Sequence, residues 1–330
     1  MRPSSFGKRR YRLVCSKAFS NVPSSTPANK YASTDADASA SSRTVDYSYL
    51  RQLVFEQSQN LLDPARDYLF ETRLSRLLSN HGLAHTEELM QLLRLKRDPV
   101  LERQIAEAMT INETSFFRDG RPFELLRSEL LPPLIESRRS TRWLRFWSAA
   151  CSTGQEAYSI AMLLLEHFPQ LANWNVKIEG TDISSEVVHR CQTGTYHRIE
   201  MNRGLPARHI VRFFDHSGEG WTVKPELRKL TSFRQANLCA DQLPFSPSMG
   251  RFDVVFLRNV MLYFSQETRK KLLANVHRLL ASDGLLFLGS SEQPADPTIW
   301  TATLAGGTCY YRPRQPTETI CDYATEMNKD

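Results

Sequence analysis

The chain has 330 residues, of which 41% are apolar and 24% are charged, so it can bury the core of one large or two small globular domains. This composition excludes a collagen, a fibre and a fully disordered chain. The net charge is +6, but residues 1–45 hold eight basic and two acidic side chains and so carry the whole excess. A basic surface for specific nucleic-acid binding is therefore not expected.

The cysteines and the apolar runs bear on the location of the protein. The six cysteines include no C-x-x-C pair, which argues against a disulfide scaffold and against a cysteine-based zinc site. The sequence contains no run of about 18 apolar residues and no signal-peptide core. Only His81 and His85 are four residues apart, but Gly82 breaks the predicted helix between them and no third metal ligand is evident. We expect a cytoplasmic protein without membrane insertion and without a bound metal.

In chain order, the sequence divides into four parts. Residues 1–44 form a basic tail rich in Ser, Ala and Thr, whose composition predicts disorder. Residues 45–134 carry apolar side chains at helical spacing and predict an N-terminal helical domain and linker. Residues 135–313 form an α/β domain, and residues 314–330 form a C-terminal tail.

Punctuation within the helical part separates about four helices. Pro64 and Pro99 stand where first-turn prolines are expected, and Gly82 stands where a helix ends. Arg66, Arg73 and Arg76 share one of these helices, and a solvated charged face is a sufficient explanation for them.

The α/β part alternates short apolar strands with amphipathic helices, which predicts an open, mostly parallel sheet covered on both faces. The predicted strands are 143–147, 176–180, 232–236, 252–257, 285–288 and a late strand at 309–312. The predicted helices are 154–165, 186–192 and 266–280. Trp143, Phe146 and Trp147 are expected in the core. Polar residues interrupt the alternation at 196–230, where an inserted subdomain is predicted.

Ligands of such sheets bind at the carboxyl ends of the strands. The turn after the first strand has Gly154 as its only glycine, which disfavours a pyrophosphate cradle. Asp182 ends the second strand, where a carboxylate accepts from ribose hydroxyls. A nucleoside without a phosphate chain, such as S-adenosylmethionine, satisfies both observations, and Glu156 can face its ammonium group. A turn or helix cap is an equally good explanation of Asp182 and Glu156.

Several ordered motifs resemble the CheR-type chemotaxis receptor methyltransferases over about residues 46–313. Three are long: N-E-T-S-F-F-R at 112–118, W-S-A-A-C-S-T-G-Q-E-A-Y-S at 147–159 and F-D-V-V-F-L-R-N-V-M-L-Y-F at 252–264. Two shorter ones are T-D-I-S at 181–184 and G-L-L-F-L-G-S-S-E at 284–292. Their order along the chain is that of the family.

The resemblance implies an N-terminal all-α domain, a Rossmann-like S-adenosylmethionine-dependent methyltransferase sheet and a small inserted antiparallel β subdomain. It implies a protein-glutamate O-methyltransferase that forms methyl esters on the cytoplasmic helical region of chemoreceptors in chemotaxis adaptation, with S-adenosylhomocysteine as product. Some family members bind a receptor C-terminal peptide through a glycine-rich loop of the β subdomain. The corresponding stretch, Asp215–Val223, is short here, so tethering of that kind is not expected.

The resemblance also implies roles for individual residues. The catalytic residues would be Arg118 and Tyr263. The cofactor-binding residues would be Asn112, Thr114, Arg118, Glu156, Asp182, Asn237, Leu238, Arg258 and Asn259. The family's basic helix would make Arg66, Arg73 and Arg76 a docking site for acidic receptor helices.

The sequence alone leaves two other functions open. The first is methylation of a different acceptor on the same fold, since a fold does not fix its substrate. Base methylation is disfavoured because Arg258-Asn259-Val260-Met261 stands where an Asn-Pro-Pro-Tyr segment would be expected. The second is a non-catalytic module that senses S-adenosylmethionine, although such a sensor would have no need of Arg118 and Tyr263.

Overall fold

Four helices open the described part of the chain, which is residues 45–218 and 220–314 of a computed structural model. They are α1 (Ser48–Ser58), α2 (Tyr68–Asn80), α3 (Thr86–Leu95) and α4 (Pro99–Ala108). The two predicted tails, apart from Arg314, lie outside the described residues. None of the described helices is long and apolar enough to cross a membrane.

Local sequence signals set the ends of these helices. The Asp98 carboxylate caps α4 by accepting from Val100 N and Leu101 N at 2.9 and 3.2 Å, and Pro99 occupies its first turn. Gly82 follows α2 with a φ of +66°, a left-handed conformation that glycine adopts without strain. The apolar faces of the four helices pack into a core of their own, in which Phe70 is almost completely buried.

A second helical stretch packs on the sheet instead. It comprises α5 (Arg121–Leu125), a π-helical turn (Leu126–Leu130) and α6 (Leu131–Ser137). Phe123 and Leu131 belong to the same buried cluster as Phe146 of the first strand, so this stretch is part of the sheet's core. The helix α6 continues past residue 134, where the sequence places the end of the linker.

The main sheet has seven strands in the order β6-β2-β1-β7-β8-β10-β9. The strands of the described chain are β1 (Trp143–Ala149), β2 (Asn175–Asp182), β3 (Thr195–His197), β4 (Phe214–Ser217), β5 (Gly220–Val223), β6 (Thr231–Gln235), β7 (Phe252–Leu257), β8 (Leu280–Leu288), β9 (Trp300–Ala305) and β10 (Thr308–Pro313). Strands β6, β2, β1, β7 and β8 run parallel to one another, whereas β10 is antiparallel to β8 and to β9. The predicted mostly parallel sheet is confirmed, and β9 is a strand that the sequence analysis missed.

Helices cover both faces of the sheet. They include α7 (Gln155–His167), α8 (Ser185–Thr193) and α12 (Gln266–Leu279). Phe146 and Trp147 are fully buried in the clusters on opposite faces, as a strand covered on both sides requires. Trp143 is 42% exposed, so its predicted place in the core is wrong, because the first residue of β1 lies at the open end of the strand.

The predicted insertion is a separate small sheet. Strands β3, β5 and β4 pair antiparallel in that order, accompanied by α9 (Arg198–Met201), α10 (Ala207–Phe213) and α11 (Pro225–Arg228). Gly204, with a φ of +93°, lies against the backbone carbonyl of Phe116 and so brings this subdomain next to the segment before α5. The insertion therefore contacts the stretch that carries Asn112–Arg118.

Candidate active site

The carboxyl ends of four parallel strands meet at one edge of the sheet. Strands β6, β2, β1 and β7 are successive neighbours, so the residues that follow them are brought side by side. Backbone hydrogen bonds tie the residues after β1 and β6 to the end of β2: Cys151 N donates to Thr181 O at 2.9 Å, and Ala236 N donates to Asp182 O at 2.8 Å. The topology thus brings together residues that are far apart in the sequence.

A cleft opens at this edge. In α/β sheets, small organic ligands bind in such concave sites outside the carboxyl ends of the strands. All ten residues predicted for cofactor binding and methyl transfer line the cleft: Asn112, Thr114, Arg118, Glu156, Asp182, Asn237, Leu238, Arg258, Asn259 and Tyr263. Their individual roles stay predictions.

The sequence analysis missed one wall of the cleft, which the four N-terminal helices supply through Ser58, Asn60, Thr110 and Ile111. Asn237 Nδ2 donates to Gln57 O at 2.8 Å, and Leu61 N donates to Tyr263 O at 2.9 Å, so the end of α1 is bonded to both sides of the site. These contacts join residues up to 202 positions apart in the chain. No local pattern near residue 58 could have revealed them.

Further lining residues lie beside the predicted ones, and proximity to the strand ends was the signal that could have found them. They are Glu113, Ala150, Cys151, Ser152, Ile183, Ala236, Val260 and Phe264. Ser152 Oγ donates to Asn112 O at 2.8 Å, and Phe117 N donates to Ser159 Oγ at 2.8 Å. The stretch Asn112–Arg118 is thereby bonded to the turn after β1 and to α7.

Asp182 is a buried carboxylate at the end of β2. Its Oδ2 accepts from Ser152 N at 2.8 Å and its Oδ1 from Ser184 N at 3.1 Å. Burial raises the pKa of Asp182, while these backbone N–H groups and that of Ile183 oppose the rise. The cap-like role considered for Asp182 is therefore present, and the carboxylate keeps lone-pair capacity that can accept from a ligand hydroxyl.

Glu156 and Arg258 form an ion pair within the cleft. Glu156 Oε1 accepts from Ser148 Oγ at 2.7 Å, and Oε2 accepts from Arg258 Nη1 at 3.2 Å. Arg258 Nη2 also donates to Asp119 and to the carbonyl of Arg118, and its side chain is only 2% exposed. Burial raises the pKa of Glu156, whereas the charge of Arg258 lowers it.

Arg118 and Tyr263, the two predicted catalytic residues, both line the cleft and are half-buried. Arg118 Nη1 donates to Glu113 O at 2.7 Å, which uses one of the five N–H groups of the guanidinium. Tyr263 belongs to a 3-10 turn, Met261–Tyr263, that follows β7. Each side chain thus comes from a loop whose backbone is fixed by local bonds.

Left-handed backbone conformations cluster around the cleft. Among the described non-glycine residues with positive φ are Phe117 (49°), Asp119 (66°), Ala150 (57°), Ser152 (49°) and Asn259 (59°). Such conformations cost about 1–2 kcal/mol per residue and persist only where the surroundings impose them. The strain coincides with the turns that carry the lining residues.

The three arginines predicted for receptor docking lie on or next to α2 and are not among the residues that line the cleft. Arg73 Nη1 donates to the carbonyls of Met109 and Thr110 at 2.9 and 3.0 Å, so its guanidinium satisfies the end of α4. Arg76 forms an exposed ion pair with Glu186 at 2.8 Å. Arg66 ends a short 3-10 turn and is exposed.

Comparison with known proteins gives the family. The model of the CheR methyltransferase SAM-binding domain matches residues 112–306, more than half of the chain. This chain belongs to the CheR methyltransferase family. It is 38% identical over 257 residues to the chemotaxis protein methyltransferase Cher2 of Pseudomonas putida, covering 76% of this chain and 91% of that one. It is 36% identical over 251 residues to a chemotaxis protein methyltransferase of Vibrio parahaemolyticus, covering 75% and 88%.

Membership of the CheR family confirms the predicted S-adenosylmethionine-dependent methyltransferase, and the cleft has the groups to hold that cofactor. Asp182 can accept from ribose hydroxyls, and Glu156 can accept from an ammonium group. Arg258 Nε is a buried donor without a partner among the described protein groups, and it belongs to a residue lining the cleft. A ligand carboxylate would satisfy it. The donor and acceptor set therefore fits S-adenosylmethionine.

Proposed function

We propose that this chain transfers a methyl group from S-adenosylmethionine to glutamate side chains in the cytoplasmic helical region of chemoreceptors, forming glutamyl methyl esters. The observation that carries the proposal is that Arg118 and Tyr263 line the same cleft as the residues suited to hold the cofactor. A module that only senses the cofactor has no use for that end of the site.

The chemistry needs no dedicated base. A glutamate side chain has an ordinary pKa of about 4.3 and is already an anion near neutral pH. S-adenosylmethionine supplies an electrophilic methyl group when it is bound. The task left to the protein is to hold the acceptor in line and to exclude water, and such orientation lowers a barrier by at most about 7–11 kcal/mol.

Arg118 suits the orientation of the acceptor because its planar guanidinium matches a carboxylate in two hydrogen bonds. The reaction consumes the acceptor's negative charge, so a grip that is too tight would stabilise the ground state more than the transition state. Tyr263 contributes a hydroxyl donor. We assign positioning of the carboxylate to Arg118 and a supporting hydrogen bond to Tyr263.

We also propose which surface of the protein binds the receptor. Arg66 and Arg76 are exposed and offer positive charge to acidic receptor helices. The connection between β4 and β5 is residues 218–219, too short for a peptide-binding loop, which supports docking without a C-terminal tether.

The test mixes the purified full chain with methyl-labelled S-adenosylmethionine and membranes rich in chemoreceptors. We expect label on a receptor band and its release as methanol in mild base, which identifies a carboxyl methyl ester. Label that resists base would show a different acceptor. Cofactor binding without any label, over several receptors, would favour the sensing module and contradict the proposal.

A further inference from the structure

Glu292 lies beyond β8, and only 6% of its surface is exposed. Its Oε2 accepts from Gly289 N and from Asn259 N, each at 2.7 Å. Its Oε1 accepts from Met261 N, also at 2.7 Å. Three backbone N–H groups therefore compensate the burial of this carboxylate, which would otherwise be costly.

Two of these three donors belong to the loop after β7, which carries Arg258, Asn259 and Tyr263 into the cleft. Here the backbone leaves the sheet, and the N–H groups of residues 259 and 261 have lost the strand partners of β7. Asn259 has a φ of 59°, a conformation that a non-glycine residue keeps only when its surroundings hold it. Glu292 supplies that restraint from the end of the neighbouring strand β8.

Gly289 makes the close approach possible. A Cβ atom at this position would lie 2.7 Å from Glu292 Oε2, 2.8 Å from Asn259 Nδ2 and 3.0 Å from Asn259 N. These distances are shorter than ordinary carbon contacts, so any larger residue would push apart the carboxylate and the loop. The packing around Gly289 thus brings Glu292 and Asn259 together.

We propose that Glu292 is a positioning residue for the methyl-transfer loop: by binding Asn259 N and Met261 N, its carboxylate fixes Asn259 in the cofactor cleft and Tyr263 at the acceptor end. The part that concerns Tyr263 rests on the proposed function, and the part that concerns the cofactor does not. Glu292 lies outside the set of residues that line the cleft, so it acts through the loop.

The experiment uses the full chain with Glu292→Gln, which keeps the shape of the side chain but turns an NH₂ donor toward a backbone N–H. We expect amide hydrogen exchange at Asn259 and Met261 to be at least tenfold faster. We expect the dissociation constant for S-adenosylmethionine to rise at least fivefold, and kcat on receptor membranes, per folded molecule, to fall at least tenfold.

The matched control is Glu102→Gln, a carboxylate of α4 that is 3% exposed and accepts from Arg97, between α3 and α4, and from Gln57 of α1. It should leave all three quantities within twofold of the wild type. Should Glu292→Gln fail to fold, Gly289→Ala displaces the same contact and is expected to act in the same direction.

Exchange and cofactor affinity within twofold of the wild type would overturn the proposal. Faster exchange without a change in affinity or kcat would also overturn it, because Glu292 would then be merely structural. If the wild type forms no methyl ester, the proposed function fails, whereas exchange and affinity still decide the role of Glu292.

Discussion

Arg118 carries a positive charge that can hold the acceptor carboxylate, and it lies on a loop that hydrogen bonds restrain. We expect Arg118→Ala to slow ester formation about 100-fold, the scale of a misplaced reacting group, while cofactor affinity changes less than about tenfold. Arg118→Lys should slow ester formation less than Arg118→Ala does, because lysine keeps the positive charge but lacks the planar guanidinium. Single-turnover methylation and calorimetric titration measure the two quantities separately. Equal turnover in wild type and Ala variant would remove Arg118 from its assigned role.

Asp182 and Glu156 should make cofactor affinity depend on pH. Burial raises the pKa of each carboxyl in the folded protein, so each takes up a proton at a higher pH than a free side chain does. The ionised forms bind the ligand, so affinity should be complete above the raised pKa values and fall as pH decreases through them, by at most about tenfold per pH unit and group.

Titration of the dissociation constant from about pH 8 downward, over the whole range in which circular dichroism shows the folded protein, checks this direction. Asp182→Asn should bind more weakly at the upper end and show a shallower slope. A wild-type affinity that stays flat, or that increases toward acid, would contradict the assignment of both carboxylates to the ligand.

Among the elements, the β subdomain is coupled to the cleft through Gly204. A Cβ there would collide with the carbonyl of Phe116, in addition to the strain of its positive φ. We expect Gly204→Ala to lower the free energy of unfolding by about 3 kcal/mol and to weaken cofactor binding.

The control is Gly82→Ala, which also has a positive φ but open space around the added Cβ. Its cost should be about 1 kcal/mol, without an effect on the cofactor. Urea unfolding of both variants provides the comparison. Equal losses of unfolding free energy in the two variants would mean that the close approach to Phe116 adds nothing to the cost of the substitution at Gly204.

The arginines of the α2 region should separate into two kinds. Arg73→Ala removes two hydrogen bonds to the end of α4 and should lower the free energy of unfolding by about 1–3 kcal/mol. Arg76→Ala breaks only an exposed ion pair and should change stability by less than about 1 kcal/mol, yet weaken co-sedimentation with receptor membranes at low salt. Unchanged sedimentation would argue against docking on this face.

Elements with a continuous signal were predictable from the sequence. Strand β7 has the predicted bounds because all six of its residues are buried. Strand β9 was missed, since W-T-A-T-L-A at the sheet edge is half-exposed and gives only a weak pattern. The cleft residues that follow strands were predictable, because the sheet topology dictates where the strand ends meet. The positions of Ser58 and Asn60 in the cleft were not predictable, because they depend on how separate helices pack. The role of Glu292 was not predictable either, because it depends on a contact with a residue 33 positions away.

At the scale of the whole molecule, the N-terminal helices and the sheet share one site, and Glu107 of α4 joins them. Its carboxylate accepts from Ser185 N, Ser185 Oγ and Gln235 Nε2 at 2.8–3.0 Å, next to the end of β2. The part matched by the family model begins at residue 112 and therefore omits one wall of the cleft. We therefore expect cofactor binding to depend on both parts together.

We expect Glu107→Ala to raise the dissociation constant for S-adenosylmethionine about two- to thirteenfold, as the loss of about 0.5–1.5 kcal/mol from this contact would do. Glu136→Ala, which removes an exposed carboxylate paired with Arg139, is the control and should have no effect. Isothermal titration of both variants distinguishes them. The same affinity in Glu107→Ala and wild type would show that the two parts stay together without this contact.

The left-handed residues around the cleft also bear on how this enzyme can change in evolution or in the laboratory. Ala150, Ser152 and Asn259 each hold a conformation that glycine adopts more cheaply. Substitution of these residues by glycine would remove the strain and add folding stability, but it would also let the turns that carry the reacting groups move. Selection for heat resistance alone would therefore tend to erode turnover at these positions, and robust variants that keep their activity are better sought in the separate core of the N-terminal helices.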